Sequence, residues 1–250
     1  MARAAYALIG DPVEHSLSPA MQNAAFAAAG IDAGYEALRV AGEELTSFVG
    51  MARDGNLDGF NVTTPLKEAI LDYLDELSDE ARAVRAANVV RRDGRRLQGH
   101  NTDGLGLVAA LADVWSWSPR GASALILGSG PAARAIAAAL RREGAVAISC
   151  WSRNRLTASE IGPPPHRSVD VVVSALPAPA VVPDEVLERI GPHTMLFDAN
   201  YRVARSPLPR HIGARRSDGL PLLLHQGALS FEWWTGAAAP LAAMRRAIRL

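Results

Sequence analysis

Apolar and polar positions along this chain fall into short bursts that switch between the period of a strand and that of a helix. Residues 4–9 are an apolar run cut off by Gly10-Asp11-Pro12 and predict a first strand. Ser18-Pro19 opens a helix, with Ser18 as N-cap and Pro19 at the first helical position; the helix carries Met21, Ala25 and Phe26 and ends at Gly30. Residues 35–40 predict a second strand, residues 43–53 an amphipathic helix closed by Gly55, and residues 59–62 a short buried strand. Thr63-Thr64 then reads as a polar turn and Pro65 as the start of a helix, with Lys67 in its first turn. Strand, helix, strand, helix, strand is the grammar of a mostly parallel sheet. Ser78-Asp79-Glu80 starts another short helix, residues 88–99 form a hairpin about Asp93-Gly94, and a helix runs from Asp103 to about residue 114.

The pattern restarts after residues 115–121, whose Pro119 and Gly121 mark a boundary. The apolar run 124–127 enters Gly128-Ser129-Gly130-Pro131-Ala132-Ala133-Arg134 and an Ala-rich helix ended by Gly144. Strand, glycine turn and helix together form the phosphate-binding entry of a Rossmann unit. Gly128 allows the tight turn, Gly130 lets backbone approach a pyrophosphate, and the small Ala133 permits close helix–strand packing. The next strand, 146–151, ends in Ser152-Arg153-Asn154-Arg155. A unit that binds NAD carries an acid near this point for the ribose hydroxyls; arginines here favour a 2′-phosphate, hence NADP. After the loop Gly162-Pro163-Pro164-Pro165, strands at 170–175 and 194–198 flank a helix at 183–190. Residues 219–234 carry Gln226, Phe231, Trp233 and Trp234, and Gly236 precedes a last amphipathic helix, 241–250, expected to cross back onto the first domain.

Composition narrows the classes. At 250 residues the chain can hold one large domain or two small ones, and its 49% apolar content is ample for a core. A net charge of +0 gives no reason to expect nucleic acid or an acidic membrane as partner. The single cysteine, Cys150, can form no internal disulfide, which fits a reducing compartment. The N-terminal residues lack the apolar stretch of a secretion signal, and no run is long enough to span a membrane; a cytoplasmic protein is expected. The six histidines are dispersed without metal-ligand spacing, so no metal is expected.

Two positions carry candidate chemistry. Lys67 is the only lysine among 26 basic residues. Guanidinium stays protonated in proteins, whereas an amine can give and take a proton, so a single retained lysine beside a strand-to-helix corner suggests a chemical role rather than a solvated surface charge. Ser16 and Ser18 flank Leu17 just before a helix N-terminus, where unpaired N–H groups and positive potential suit an anion. The simpler alternative is that Ser18 caps the helix and Ser16 is loop.

The Ser-Leu-Ser-Pro segment, Asn61-Val62-Thr63-Thr64-Pro65-Leu66-Lys67, Asn101-Thr102-Asp103-Gly104, the glycine turn, and Gln226 followed by Phe231 and Trp234-Thr235-Gly236 stand in one order over nearly the whole chain. In that order they resemble the successive landmarks of the shikimate dehydrogenase family. The resemblance implies an α/β protein of two domains with a cleft between them: an N-terminal mixed α/β substrate domain (residues 1–103 plus 236–250) and a C-terminal Rossmann NADP-binding domain (104–235), the last helix packing back on the first. It implies reduction of 3-dehydroshikimate to shikimate by NADPH, with Lys67 and Asp103 as the catalytic pair. Ser16 and Ser18 would hold the substrate carboxylate, with Tyr201 near it; Asn61, Thr63, Asn88 and Gln226 would hydrogen-bond ring hydroxyls. Gly128, Gly130 and Arg134 would serve the pyrophosphate and Arg153 the 2′-phosphate. Departures from the family's pattern at Gln22, Val89, Pro131, Ser152, Ser174 and Val203 leave the ring open: quinate or aminoshikimate is the alternative substrate, and a non-catalytic NADP sensor the alternative class. The partner is a small ring acid, and the oligomeric state stays open between monomer and homodimer.

Overall fold

The computed structural model describes residues 3–153, 168–177, 179–201, 206–208, 213 and 215–250. Asn154, Arg155, the proline loop at 162–165 and Val203 lie outside these residues. The chain divides into two compact units: Met1–Gly106 with Leu223–Leu250, and Leu107–Leu222. No helix among the described residues is long and apolar enough to cross a membrane.

The first unit is built on six strands: β1 (Ala4–Gly10), β2 (Ala33–Arg39), β3 (Gly59–Val62), β4 (Glu76–Leu77), β5 (Val89–Asp93) and β6 (Arg96–His100), in the order β2-β1-β3-β5-β6-β4. β1 pairs parallel with β2 and β3, but β5 joins β3, and β6 joins β5, antiparallel. The strands of the strand-helix-strand pattern are thus parallel as expected, β4 also pairs parallel with β6, and the antiparallel pairs lie on either side of β5. The reason is local: Gly94, at φ 59°, closes a tight turn, and such a turn can join only antiparallel strands.

Strand alternation gives this sheet two buried faces. Ala7, Ile9, Phe60 and Val62 enter one core with Leu45, Phe48, Leu66 and Ile70. On the other face Tyr6 lies 4.9 Å, centroid to centroid, from both Phe26 and Trp234. Trp234 Nε1 donates to the Val90 carbonyl at 2.9 Å. Gly59 makes room for it, since a Cβ there would lie 2.6 Å from that nitrogen. These contacts explain why the chain re-enters the first unit at Leu223, ahead of the return expected at 236. The last helix, Leu241–Ile248, buries Met244 and Ile248 and packs on the helix Ser18–Ala28 (α1).

Three local expectations are corrected. Ser18 is not the N-cap of α1: Leu17 occupies that position without a side-chain cap, and Ser18 lies buried inside the helix. Lys67 is not in a helix. Thr64–Glu68 is a turn, followed by a 3-10 segment at Ala69–Tyr73. The Lys67 carbonyl accepts from Ala87 N at 2.9 Å, so it is not available to an intrahelical partner. The helix foreseen at 43–53 is a 3-10 turn at Gly42–Glu44, an α-helix at Leu45–Met51 (α2) and a wider turn at Ala52–Asn56 closed by Gly55 at φ 97°.

The second unit is a parallel sheet of β7 (Ser123–Leu127), β8 (Ala147–Trp151), β9 (Val171–Ser174), β10 (Met195–Asp198) and β11 (Arg215–Ser217), ordered β11-β10-β9-β7-β8. β7 and β9 bury side chains on both faces, as a parallel sheet covered on both sides requires. The helix expected at 183–190 is confined to Asp184–Leu187. Arg189 N and Ile190 N donate three residues back, to Val186 and Leu187 carbonyls, and this tighter pattern ends the α-helix.

Candidate functional site

In the first unit, a turn, a hairpin and two helices bring the polar side chains together. After the hairpin, the helix Asp103–Trp115 (α4) begins at Asp103, whose backbone N–H donates to Asn101 Oδ1 at 3.1 Å. The Asp103 carboxylate is therefore left for other work. Its Oδ2 accepts from Lys67 Nζ at 2.6 Å and its Oδ1 from Asn88 Nδ2 at 2.8 Å. The Lys67 and Asp103 side chains are 15% and 10% exposed, so the pair is shielded yet still reached by solvent. Asn88 also orders Thr102: Asn88 Oδ1 accepts from Thr102 N at 2.8 Å, and Nδ2 lies 3.0 Å from Thr102 Oγ1.

Gln226 comes from the helix Leu220–Thr235. That helix can approach α4 closely because Gly106 has no side chain: a Cβ there would lie 2.7 Å from both Gln226 Cβ and Gln226 N. Gln226 Oε1 lies 3.4 Å from Asn88 Nδ2, and its Nε2 donates to Leu223 O at 3.0 Å, leaving one amide hydrogen for a ligand. Asn61 on β3 is held on every side. Its Nδ2 donates to Asn88 O and to Ser230 Oγ, both at 3.0 Å, and its Oδ1 accepts from the Tyr35 hydroxyl at 2.8 Å.

Thr63 follows β3, and its N–H donates to Ile9 O at 2.8 Å. Its side chain lies over Gly10, where a Cβ would collide with Thr63 Cγ2. Ser16 Oγ accepts from Ser18 N at 3.2 Å, so the two serines are tied to each other at the head of α1. Tyr201 belongs to the second unit, half-buried just past β10. The sequence reading missed Tyr35 and Ser230. Tyr35 stands beside Glu36 in its strand and Ser230 between Leu229 and Phe231 in its helix, and nothing in the neighbouring spacing announced a partner. Thr102 lies in the Asn101-Thr102-Asp103-Gly104 segment, whose pattern gave it no role of its own.

The second unit carries its features on one edge. Register aligns the carboxyl ends of β7, β8, β9 and β10: Leu127 with Trp151 and Ser174, and Ser174 with Asp198. In an open parallel sheet the ligand edge is this one, where the strand order reverses, here between β7 and β9. Gly128 turns there at φ 128°, and a Cβ on it would come within 3.2 Å of the Ala175 carbonyl. Its N–H donates to Trp151 O at 2.8 Å, and Cys150 Sγ–H to its carbonyl, so both sides of the turn are held by the end of β8. Burial pushes the Cys150 thiol up to about 11 and keeps it a neutral donor.

The helix Pro131–Arg142 (α5) starts at Gly130 with no side-chain cap, and among the described residues nothing lies within 4 Å of a Cβ built on Gly130. Its first N–H groups are thus open to a phosphate. Ser129 and the small Ala132 and Ala133 complete the turn, and Arg134 Nη1 reaches back to Ser129 O at 3.4 Å. Beyond β8 come the buried Ser152 and the exposed Arg153, with no acid at either position. These residues fit a dinucleotide that carries a 2′-phosphate.

Residues 8–90 match the shikimate dehydrogenase substrate binding domain, and residues 219–249 the shikimate 5′-dehydrogenase C-terminal domain. The shikimate dehydrogenase (NADP(+)) of Geobacter sulfurreducens is 36% identical over 95% of this chain and 93% of its own length. Among solved structures, shikimate 5-dehydrogenase from Thermus thermophilus in complex with NADP(H) and shikimate has a TM-score of 0.87 and 33% identity, covering 98% of both chains. The ligand-free 5-ketofructose reductase of a Gluconobacter strain has a TM-score of 0.85 and 28% identity, covering 100% of this chain and 99% of that one.

Proposed function

The chain belongs to the shikimate dehydrogenase family, and from that premise we propose that it reduces 3-dehydroshikimate to shikimate with NADPH, a step of aromatic amino acid biosynthesis. A cytoplasmic setting goes with that reading. The observation that carries it is the Lys67–Asp103 pair at 2.6 Å, set among amide and hydroxyl groups of the first unit.

NADPH, when bound, supplies a hydride; every other requirement falls on the chain. Lys67 Nζ has two hydrogens beyond the one it gives Asp103, and it donates a proton to the oxygen of the ring carbonyl as that carbon is reduced. Asp103 holds the ammonium in line and accepts from a ring hydroxyl. Gln226 Nε2 and Thr63 Oγ1 supply further polar contacts to the ring, while Asn61 and Asn88 orient their neighbours. Ser16 and Ser18, with the start of α1, take the ring carboxylate. Tyr201 adds a hydroxyl for the same group. In the second unit, Gly128 to Arg134 hold the pyrophosphate, and Ser152, Arg153 and Asn154 the 2′-phosphate end. Clamping a rigid ring at several points supplies the orientation on which much of the rate depends.

The Gluconobacter neighbour favours a second reading, in which the substrate is a keto sugar without a carboxylate. The paired serines at the head of α1 speak for the ring acid. NADPH oxidation by purified protein, measured with 3-dehydroshikimate, 3-dehydroquinate, the aminated ring analogue and 5-ketofructose, decides. The expected result is highest kcat/KM on 3-dehydroshikimate. Preference for another ring or for the keto sugar would overturn the assignment, and turnover of none would leave the sensor.

A further inference from the structure

We propose that Tyr35 is a positioning residue for the reaction: its phenol anchors the oxygen of the Asn61 carboxamide, and that carboxamide holds the elements bearing Asp103 and Gln226. This rests on the functional reading above.

Tyr35 is placed with unusual care for a residue on an edge strand. β2 ends the first sheet, so the outward N–H and C=O of Tyr35 have no strand to pair with. Both are satisfied by one side chain on α1: Asn23 Nδ2 donates to Tyr35 O at 2.8 Å, and Tyr35 N donates to Asn23 Oδ1 at 2.9 Å. Register sets Tyr35 opposite Tyr6 and Tyr6 opposite Gly59. Asn61, two residues past Gly59, lies on that same face. The phenol thus reaches diagonally across β1 to Asn61, with its ring 6.1 Å from that of Trp234. Burial raises the Tyr35 phenol well above its ordinary range, so it is a neutral donor at any working pH.

An amide can be turned either way, and here the Asn88 carbonyl decides, because it can only accept and so must face the Asn61 nitrogen. The nitrogen's other hydrogen goes to Ser230 Oγ. Asn61 Oδ1 then faces the Tyr35 hydroxyl and accepts its one hydrogen. Ser230, accepting from Asn61, donates onward to Gln226 O at 2.9 Å. Asn88, gripped at its carbonyl, offers its side chain to Asp103 and Thr102. One carboxamide therefore joins β3, the strand after Asn88 and the Gln226 helix. With the nitrogen fully engaged, Asn61 has no donor left for a ring hydroxyl. Its contribution is to hold others. Without the phenol, Oδ1 is a buried acceptor that has lost its donor, and the carboxamide is held only at its nitrogen end.

The test is Tyr35→Phe, which keeps the ring and removes the hydroxyl. We expect kcat with 3-dehydroshikimate to fall roughly tenfold, the scale of one lost buried hydrogen bond, with NADPH affinity unchanged. Phe48→Leu, a core change on the opposite face of the same sheet, controls for lost stability and should leave kcat alone. In the Asn61→Ala background the further change Tyr35→Phe should cost almost nothing, because the effect travels through Asn61. A second readout needs no turnover: hydrogen exchange of the Asn61 side-chain amide, assigned through Asn61→Asp, should speed up in Tyr35→Phe. Kinetics of Tyr35→Phe equal to those of Phe48→Leu at matched stability, or full additivity with Asn61→Ala, would overturn the proposal. If wild type reduces no ring acid, the functional reading fails on its own, and unchanged amide exchange would still dismiss Tyr35.

Discussion

Replacing Lys67 by arginine separates charge from proton transfer. In the native site Nζ sits 2.6 Å from Asp103 Oδ2, at the end of a side chain only 15% exposed, in a turn fixed by the Ala87 N–H on the Lys67 carbonyl. A guanidinium can still pair with Asp103. It is wider, planar and permanently charged, so it neither fits the position of Nζ nor yields a proton. A lost general acid costs roughly a hundredfold or more in rate. At about 1.4 kcal/mol per decade that is about 2.8 kcal/mol of barrier. Lys67→Met should lose at least as much and also lose stability. Asp103, 10% exposed, would keep the Asn88 hydrogen bond but not its counter-ion. Exposed pairs contribute about 0–1 kcal/mol and breaking a buried one costs about 3–5 kcal/mol, so a shielded pair with one surviving bond lies near 2 kcal/mol. At about 2–4 °C per kcal/mol for a chain of this size, Tm should drop by about 4–8 °C in Lys67→Met and much less in Lys67→Arg. Steady-state kcat, NADPH binding by fluorescence and thermal melts read the three effects separately. An arginine variant with near wild-type kcat would show that only charge is needed, and the proton-donor role of Lys67 would have to be given up.

Other expectations are independent of that one. Arg153→Ala should weaken NADP binding by roughly ten- to a hundredfold, the loss of a charge-assisted contact, and leave NAD binding nearly alone; equal weakening of both would remove Arg153 from the 2′-phosphate. Ser16→Ala with Ser18→Ala should raise KM for the ring acid and spare NADPH affinity. A lower Tm with unchanged KM would mean that Ser16 serves only to hold the Ser18 N–H. The Cys150 thiol, raised by burial from 9.0 to about 11, stays protonated in the folded chain while the unfolded thiol ionises. Its contribution to stability is therefore complete below pH 9.0 and lost as pH rises toward about 11. Wild type should lose its margin over Cys150→Ala in that window, and a margin constant across it would contradict the burial argument.

Some of this protein can be read without its tertiary structure, because the signal lies within a few neighbouring residues. The strand Gly59–Val62, the hairpin turn at Gly94 and the glycine turn after β7 stand where local pattern put them. Each depends on backbone freedom or strand period, which a short segment specifies by itself. A lone lysine and a pair of serines before a helix likewise drew attention to chemistry before any coordinates. What local pattern could not supply is the choice of partners. Proline beside Lys67 suggested a helix, but the Lys67 carbonyl was claimed by Ala87 from another element. Serine before proline suggested a cap, but burial of Ser18 gave the supporting contact to Ser16. The chain returned to its first unit at Leu223 because the Trp234 indole found Val90 and the gap over Gly59. Asn61 looked like a ligand-binding amide, yet Tyr35, Asn88 and Ser230 occupy both ends of it. A buried polar group must be satisfied by whatever the fold brings near, and that neighbour can come from any distance along the chain.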